Sequence, residues 1–205
     1  MKPYLIVKRI FDFIFALILL IILSPVMVIV GAAIKLESEG PILFVQARPG
    51  KNEKIFKLYK FRSMRTEVEN NGRQLTDFER MTKVGRFLRK TSIDELPQLI
   101  NILKGDMSFI GPRPLLVQYL DRYSPEEARR HEVLPGISGW AQVNGRNAIT
   151  WEEKFRYDVY YVDHISLALD LKIFWLTVLK VICRSGVNNS EVDTMPYFTR
   201  ESNNI

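Results

Sequence analysis

The stretch of the chain that could do chemistry most directly is Thr91-Ser92-Ile93-Asp94-Glu95-Leu96-Pro97-Gln98. Two adjacent carboxylates follow closely on Arg86, Arg89 and Lys90. Such a pair offers hard oxygens to a divalent cation that also meets a phosphate. An ionised Asp is also a competent nucleophile toward phosphorus. The bland reading is that these acids are helix caps. Leu96, Leu99, Ile100 and Leu103 recur at helical spacing. Either Ser92 opens that helix in a capping box with Glu95, or Asp94 is the N-cap and Pro97 sits in the first turn, where it is tolerated. Both readings put Asp94 and Glu95 at the positive end of the helix.

Other cations stand in arrangements that suit an anion. In Gly111-Pro112-Arg113-Pro114 two prolines restrict the backbone around a single arginine. A guanidinium presented so rigidly suits a bidentate phosphate contact, although a loop with an exposed Arg looks the same. Lys60-Phe61-Arg62-Ser63-Met64-Arg65 places three cations in six residues; it reads equally as a lysine-protected edge strand. The glycine-rich region Leu134–Trp140 and Gln142–Asn147 could bring backbone N–H groups close to an anion, but it matches neither a Walker A loop nor a dinucleotide fingerprint.

These residues sit on a chain of 205 residues, about one domain plus an appendage by the usual ~150 residues per domain. With 47% hydrophobic and 25% charged residues it can build a core. One cysteine, Cys183, excludes a disulfide framework and a four-cysteine zinc site. Two histidines, His131 and His164, exclude a His-rich metal centre. The net charge of +6 suggests anionic partners: phosphates, nucleic acid or an acidic membrane surface.

Hydrophobicity is concentrated near the N-terminus. The run Phe13–Ile34 carries no charge, and as a straight helix it would reach roughly 33 Å, enough for a bilayer core of about 30 Å. A single-pass helix is the plain reading. Against it stands Ser24-Pro25 in the middle of the run, where Pro25 has no N–H for the Ile21 carbonyl and the Ser24 hydroxyl can bond back to a freed carbonyl. Phe13–Leu23 and Val26–Ile34 would each be about half a membrane long. Lys2, Lys8 and Arg9 precede the run, and Lys35, Arg48, Lys51 and Lys54 follow it. Positive flanks mark the cytoplasmic side, and here both flanks qualify. A helix that enters, breaks at Ser24-Pro25 and leaves by the same face satisfies both observations; a proline kink in a spanning helix is the alternative.

The body is expected to be α+β and mostly helical. Pro41–Val45 and Ile55–Tyr59 read as a hairpin around Pro49-Gly50-Lys51-Asn52, 66–80 as a polar surface loop with some helix, and Lys83–Lys90 as a surface helix. Thr150 and Glu153 form a capping box that opens a helix through about Asp163. Leu169–Arg184 reads as a helix with a broad apolar face and Gly186 at its end, placed either in the core or in the membrane interface. The expected division is a membrane-anchoring segment 1–36, a catalytic domain 37–186 carrying the hairpin and amphipathic interface helices, and a polar, mobile tail 187–205.

Taken together and in order, the motifs resemble the small monotopic phosphoglycosyl transferases of bacteria, and particularly the PglC-type enzymes of protein N-glycosylation. The residues that carry the resemblance are the basic lead-in with Ser24-Pro25, Gln46-Ala47-Arg48-Pro49-Gly50, Lys60–Met64, Asp94–Gln98, Lys104–Ser108, Gly111–Pro114 and Gln142–Arg146. The match covers about residues 5–187. Larger relatives carry further N-terminal membrane helices that this sequence does not show. The resemblance implies that Asp94 attacks the β-phosphate of a UDP-sugar, releasing UMP, and that undecaprenyl phosphate then takes the phosphosugar from the Asp94 carboxylate. It implies Glu95 as the second member of a catalytic dyad, Mg²⁺ at Asp94 and Glu95, and phosphate binding by Lys60, Arg89, Arg113 and Arg146. It further implies a monotopic protein on the cytoplasmic face of the inner membrane, in contact with membrane lipid and with no nucleic-acid partner, at the first membrane step of glycoconjugate assembly. The sugar is an N-acetylated amino sugar such as diacetylbacillosamine, or galactose or another hexose; the oligomeric state, a homodimer included, stays open. A membrane-anchored basic scaffold or nucleic-acid-binding protein would also explain the charge and the anchor. It gives no reason for Asp94-Glu95 beside arginines or for the proline-flanked Arg113.

Overall fold

A computed structural model describes residues 3–70, 72–145, 149–183 and 197–199. The chain runs through α1 (Pro3–Glu37), β1 (Leu43–Pro49), β2 (Ile55–Phe61), β3 (Glu69–Asn70), β4 (Arg73–Gln74), α2 (Asp77–Arg80), α3 (Lys83–Thr91), α4 (Gln98–Lys104), β5 (Ser108–Ile110), α5 (Pro125–Ala128), β6 (Gly136–Ser138), α6 (Trp140–Asn144), α7 (Trp151–His164) and α8 (Leu167–Ile182). Helix dominates, and the sheets are three two-stranded pairs: β1 with β2, β3 with β4, and β5 with β6. The expected hairpin is present, although its first strand continues through Arg48 to Pro49. The 66–80 loop holds a small antiparallel pair, Glu69 opposite Gln74, that the sequence reading did not anticipate.

Two compact units form. One comprises Arg9–Gln46 and Lys57–Gly105; the other takes the described residues of 3–8, 47–56 and 106–199.

In the first unit the apolar run is one helical element. The sequence divides it at Ser24-Pro25, whereas the structure keeps both pieces within α1, with Pro25 inside. The physical reason is local: a proline removes one hydrogen bond, and the Ser24 hydroxyl donates to the carbonyl of Ile21, the very acceptor Pro25 leaves open, at 2.8 Å. By length and composition α1 could cross a membrane. Ile21, Ile22, Val28 and Ile29 are all more than 60% exposed. A row of bare aliphatic side chains of that kind calls for an apolar surrounding. Its C-terminal end turns inward: Val30 and Ile34 are buried with Phe61 and Leu88, and Ile42, Val84, Ile93 and Leu96 pack around them.

Polar ties fix the helices of this unit. Arg9 donates to the carbonyls of Ile102 and Leu103 at 2.6 and 3.1 Å, at the C-terminal end of α4. The Glu37 carboxylate accepts from the N–H groups of Lys83 and Val84 at 2.6 and 2.9 Å. It thereby supplies the negative charge that the first turn of α3 lacks. Gly85 lies against the main chain at Ser63 so closely that a Cβ there would overlap the Ser63 carbonyl.

In the second unit β5 and β6 pair in parallel, Ser108 opposite Gly136 and Ile110 opposite Ser138. The glycines expected to cradle an anion serve backbone contact here: a Cβ on Gly136 would collide with the Gly111 N–H. Ile110, Val133, Val143, Tyr161, Val162, Ile165 and Ile173 form the core, with Tyr161 and Val162 from α7 and Ile173 from α8. Helix α7 starts at the expected capping box, Thr150 with Glu153. The buried Tyr161 hydroxyl lies 2.7 Å from Asp170 Oδ1 and 3.1 Å from the Ile110 carbonyl. Tyr4 and Lys8 donate to the other Asp170 oxygen at 2.6 and 2.7 Å. On the outer side of α8, Leu167, Leu171, Phe174, Trp175 and Leu179 are exposed at helical spacing. Gly186, expected at the end of this helix, lies outside the described residues.

Candidate active site

Asp94 and Glu95 occupy a single 3-10 turn, Ile93–Glu95, between α3 and α4. Ser92 adopts a left-handed conformation (φ 57°) and closes α3, its N–H reaching the carbonyls of Leu88 and Arg89. Neither expected cap forms. Ser92 makes no side-chain cap, and α4 starts behind Pro97, which has no N–H to lose. The tighter winding has a cause: it sends Ile93 and Leu96 into the core around Phe61 and Leu88. The carboxylates are then left to another partner.

That partner is Lys60, near the end of β2. Its ammonium lies 2.7 Å from Glu95 Oε1 and 3.9 Å from Asp94 Oδ2. The side chains of Lys60, Asp94 and Glu95 retain 20%, 12% and 15% exposure, so the cluster is sheltered yet reachable from solvent. One cation faces two carboxylates, which leaves the trio a net negative charge. The strand that carries Lys60 is held by Asn101 of α4, fully buried, whose side-chain amide accepts from the Tyr59 N–H at 3.1 Å and donates to the Lys57 carbonyl at 2.7 Å. An asparagine thus stands in for a neighbouring strand. Arg89 of α3 donates from Nε to Ser63 Oγ at 2.9 Å, three residues beyond Lys60. The basic segment 60–65 is therefore split by role. Lys60 serves the carboxylates, while the buried Arg62 holds the carbonyls of Ser38 and Glu39 just past the end of α1.

Arg113 belongs to the second unit. It is exposed, while Gly111, Pro112, Pro114 and Leu115 around it are buried. Two arginines grip the main chain just after its side chain: Arg130 Nη2 donates to the Arg113 carbonyl at 2.7 Å, and Arg48 Nη1 to the Pro114 carbonyl at 3.3 Å. The prolines thus stiffen the loop, and two part-buried hydrogen bonds pin it. Arg130 itself bonds Asp158 Oδ2 through Nε and Nη2, at 3.0 and 2.7 Å, with both side chains at most 2% exposed. Burial pushes the Asp158 carboxyl up against the opposing pull of Arg130. Burial works to lower Arg130, yet its contacts with Asp158 and Tyr123 hold it above the usual range.

Positive charge crowds around this loop. Burial and then the repulsion of Arg113 bring Arg48 down to about 10. Lys154 of α7 falls to about 8 through burial, with Arg130 and Arg113 adding to the drop and Asp158 opposing it. His131, buried and beside Arg130, falls to about 4, although its Nδ1 lies 3.2 Å from the Gly50 carbonyl. A patch in which cations depress one another is suited to an anion.

Of the candidate residues, the structure gathers Lys60, Asp94 and Glu95 into one cluster and sets Arg89 against Ser63. Arg113 is on a separate, braced loop in the other unit. Arg146 lies outside the described residues. Sequence reasoning missed Arg48, Arg130, Lys154 and Asn101. Arg48 stood in a quoted motif, and a buried Arg-Asp pair between 130 and 158 has no signal in spacing. Among the described residues no group of three or more His, Cys, Asp or Glu side chains could hold a metal ion.

Residues 3–184 match the family described as bacterial sugar transferase. A Bacillus subtilis protein described as an uncharacterized sugar transferase, EpsL, is 52% identical over 95% of this chain and 96% of its own length. The UDP-N-acetylgalactosamine-undecaprenyl-phosphate N-acetylgalactosaminephosphotransferase of Aeromonas hydrophila is 44% identical over 89% of this chain. The UDP-glucose:undecaprenyl-phosphate glucose-1-phosphate transferase of Klebsiella pneumoniae is 44% identical over 84%. The chain spans 45% and 39% of the length of these last two. The chain belongs to the bacterial sugar transferase family.

Proposed function

We propose that the chain is a phosphoglycosyl transferase that moves a sugar phosphate from a UDP-sugar to undecaprenyl phosphate and releases UMP. The observation that carries the reading is the sheltered Lys60-Asp94-Glu95 cluster in a chain whose named relatives transfer sugar phosphates to undecaprenyl phosphate. An Asp94 carboxylate oxygen attacks the β-phosphorus, the bond from that phosphorus to the bridging oxygen breaks, and UMP departs with the electron pair. A phosphate oxygen of undecaprenyl phosphate then attacks the same phosphorus and Asp94 leaves as carboxylate. Lys60 tempers the charge on both acids, and Glu95 assists the acceptor. Lys60, Arg89, Arg113 and Arg146 bind substrate phosphates, since phosphoryl transfer depends on positioning and charge neutralisation more than on covalent machinery.

Two adjacent carboxylates suit Mg²⁺, which is commonly bound through one or two carboxylates while substrate phosphates complete its shell. Asp94 and Glu95 would hold it, and when bound it supplies neutralisation of phosphate charge. The sugar is a hexose or an N-acetylated amino sugar, in line with the glucose and N-acetylgalactosamine of the relatives' names. The working place is the cytoplasmic face of the inner membrane, with residues 1–36 as a re-entrant anchor and 37–186 as the catalytic part. The bare apolar rows on α1 and α8 support membrane contact. The scaffold and nucleic-acid alternative loses its ground with the family membership.

The test is UMP release from a panel of UDP-sugars with undecaprenyl phosphate, with and without excess EDTA. Intact-protein mass after UDP-sugar alone should rise by one sugar phosphate, mapped to Asp94. An adduct on another residue sinks the nucleophile, and full activity in EDTA sinks the metal. A cysteine at Lys2, in a Cys183→Ser background, should resist labelling from the periplasm; labelling there turns the anchor into a single-pass helix.

A further inference from the structure

Phe198 comes from the stretch of sequence expected to be a polar tail, yet it is 6% exposed. Its ring sits among Phe155, Trp151, Tyr119 and Tyr123 at centroid distances of 5.1, 5.4, 5.6 and 6.0 Å, edge-on to Phe155 and Tyr119 and stacked on Tyr123. Its backbone is held as well. The Phe198 N–H donates to the Tyr119 hydroxyl at 3.3 Å, and its carbonyl accepts from Arg122 Nη1. Neighbouring Tyr197 is 71% exposed, so the inward contact of this short segment is made by one side chain.

What that side chain touches gives it a role. Phe155 and Tyr123, which meet edge to face at 5.3 Å, also flank the Arg130 guanidinium at 5.8 and 5.7 Å. Arg130 in turn holds the Arg113 carbonyl. A continuous set of contacts therefore leads from Phe198 through two rings to Arg130 and on to the loop that presents Arg113. Rings on a guanidinium face fix its plane and exclude water from its ion pair. Removing Phe198 would open one wall of that box and let Arg130 and the loop relax.

We propose that Tyr197–Thr199 is a strap that positions the anion-binding loop 111–115, with Phe198 acting through Arg130 on Arg113. The proposal rests on the reading of Arg113 as a phosphate-binding residue. Phe198 is a positioning residue: it touches the box behind the loop. Its effect should appear in binding of the phosphate-bearing substrate and should vanish when Arg113 is absent.

The experiment is a double-mutant cycle in the full-length protein with Phe198→Ala, Arg113→Ala and the pair. It is read twice, as the KM for UDP-sugar in UMP release and as the dissociation constant for inorganic pyrophosphate. Phe198→Ala should raise both by about tenfold with little change in kcat, the scale of a sub-ångström misplacement of a binding group. In the Arg113→Ala background it should add almost nothing. Phe198→Leu, which refills most of the volume, should recover most of the loss. A Phe198→Ala that leaves both constants unchanged overturns the strap, even if its melting temperature falls. So does one whose effect is as large without Arg113 as with it. A native chain that binds no pyrophosphate, or an Arg113→Ala variant that binds it as tightly, sinks the reading of Arg113 instead. A silent Phe198→Ala beside a damaged Arg113→Ala sinks the strap alone.

Discussion

Two carboxylate–cation clusters of this molecule are built on opposite plans. Arg130 and Asp158 form a one-to-one pair at most 2% exposed, with both guanidinium contacts on Asp158 Oδ2 and Nη2 shared with the Arg113 main-chain carbonyl. Lys60 faces two carboxylates, one at 2.7 Å and one at 3.9 Å, with 12–20% of each side chain open. The first arrangement uses its donors on protein and is closed to water. The second holds an excess of carboxylate oxygen at a reachable place, and its Asp94 contact is loose. A dry matched pair fixes a backbone. A wetter, unequal cluster stays reachable from solvent. Under the proposed function the contrast is between scaffolding and chemistry, and it makes opposite demands on substitution.

The sharpest way to break it is Asp94→Asn. The side chain keeps its shape and loses its charge, so UMP release should fall on the order of 10⁴-fold or more, the scale seen when a covalent nucleophile is removed. The melting temperature should hardly move. Substantial turnover in the folded variant would place the chemistry elsewhere.

Arg130→Met should do the reverse, acting first on stability. Stripping the partner from a buried carboxylate costs about 3–5 kcal/mol, measurable by denaturant unfolding. Adding Asp158→Leu should restore most of that, because an apolar pair of similar volume no longer strands a charge. A single variant as stable as the native chain would show that the pair is not load-carrying in the fold.

His131 sharpens the same side of the comparison through pH. Its pKa is lowered from 6.5 to about 4, with burial the leading cause. The unfolded chain therefore binds the proton first. The contribution is whole above pH 6.5 and is lost as pH falls from there toward 4, about 3 kcal/mol in total at 1.36 kcal/mol per pH unit. His131→Gln should lose less stability than the native chain between pH 7 and 4.5, and parallel curves would remove His131 as the cause.

The smallest stability effect is expected at the open cluster. Lys60→Gln removes one partly exposed ion-pair partner, and unfolding should change by about 1 kcal/mol or less. Activity should drop by more than that stability change predicts, read as kcat/KM for the UDP-sugar. Equal losses in both would make Lys60 a scaffold residue like Arg130.

What could be read from the sequence was local. The hairpin is fixed by strand-like runs around Pro49-Gly50, α7 by Thr150 and Glu153, and the apolar segment by its missing charges, because each depends on residues within a turn or a few of one another. Motif order pointed to Asp94, Glu95, Lys60 and Arg113 before any contact was known. The capping readings of Ser92 and Asp94 failed because a tertiary demand, the burial of Ile93 and Leu96, outweighed the helix-start signal. Tertiary structure alone decided that Lys60 reaches Glu95 across 35 positions of sequence, that Asn101 substitutes for a strand, and that Arg130 and Asp158 meet behind Arg113. It also decided that Phe198 is a core residue. Sequence spacing carries periodicity within an element, whereas a contact between distant elements is set by where packing brings their faces together.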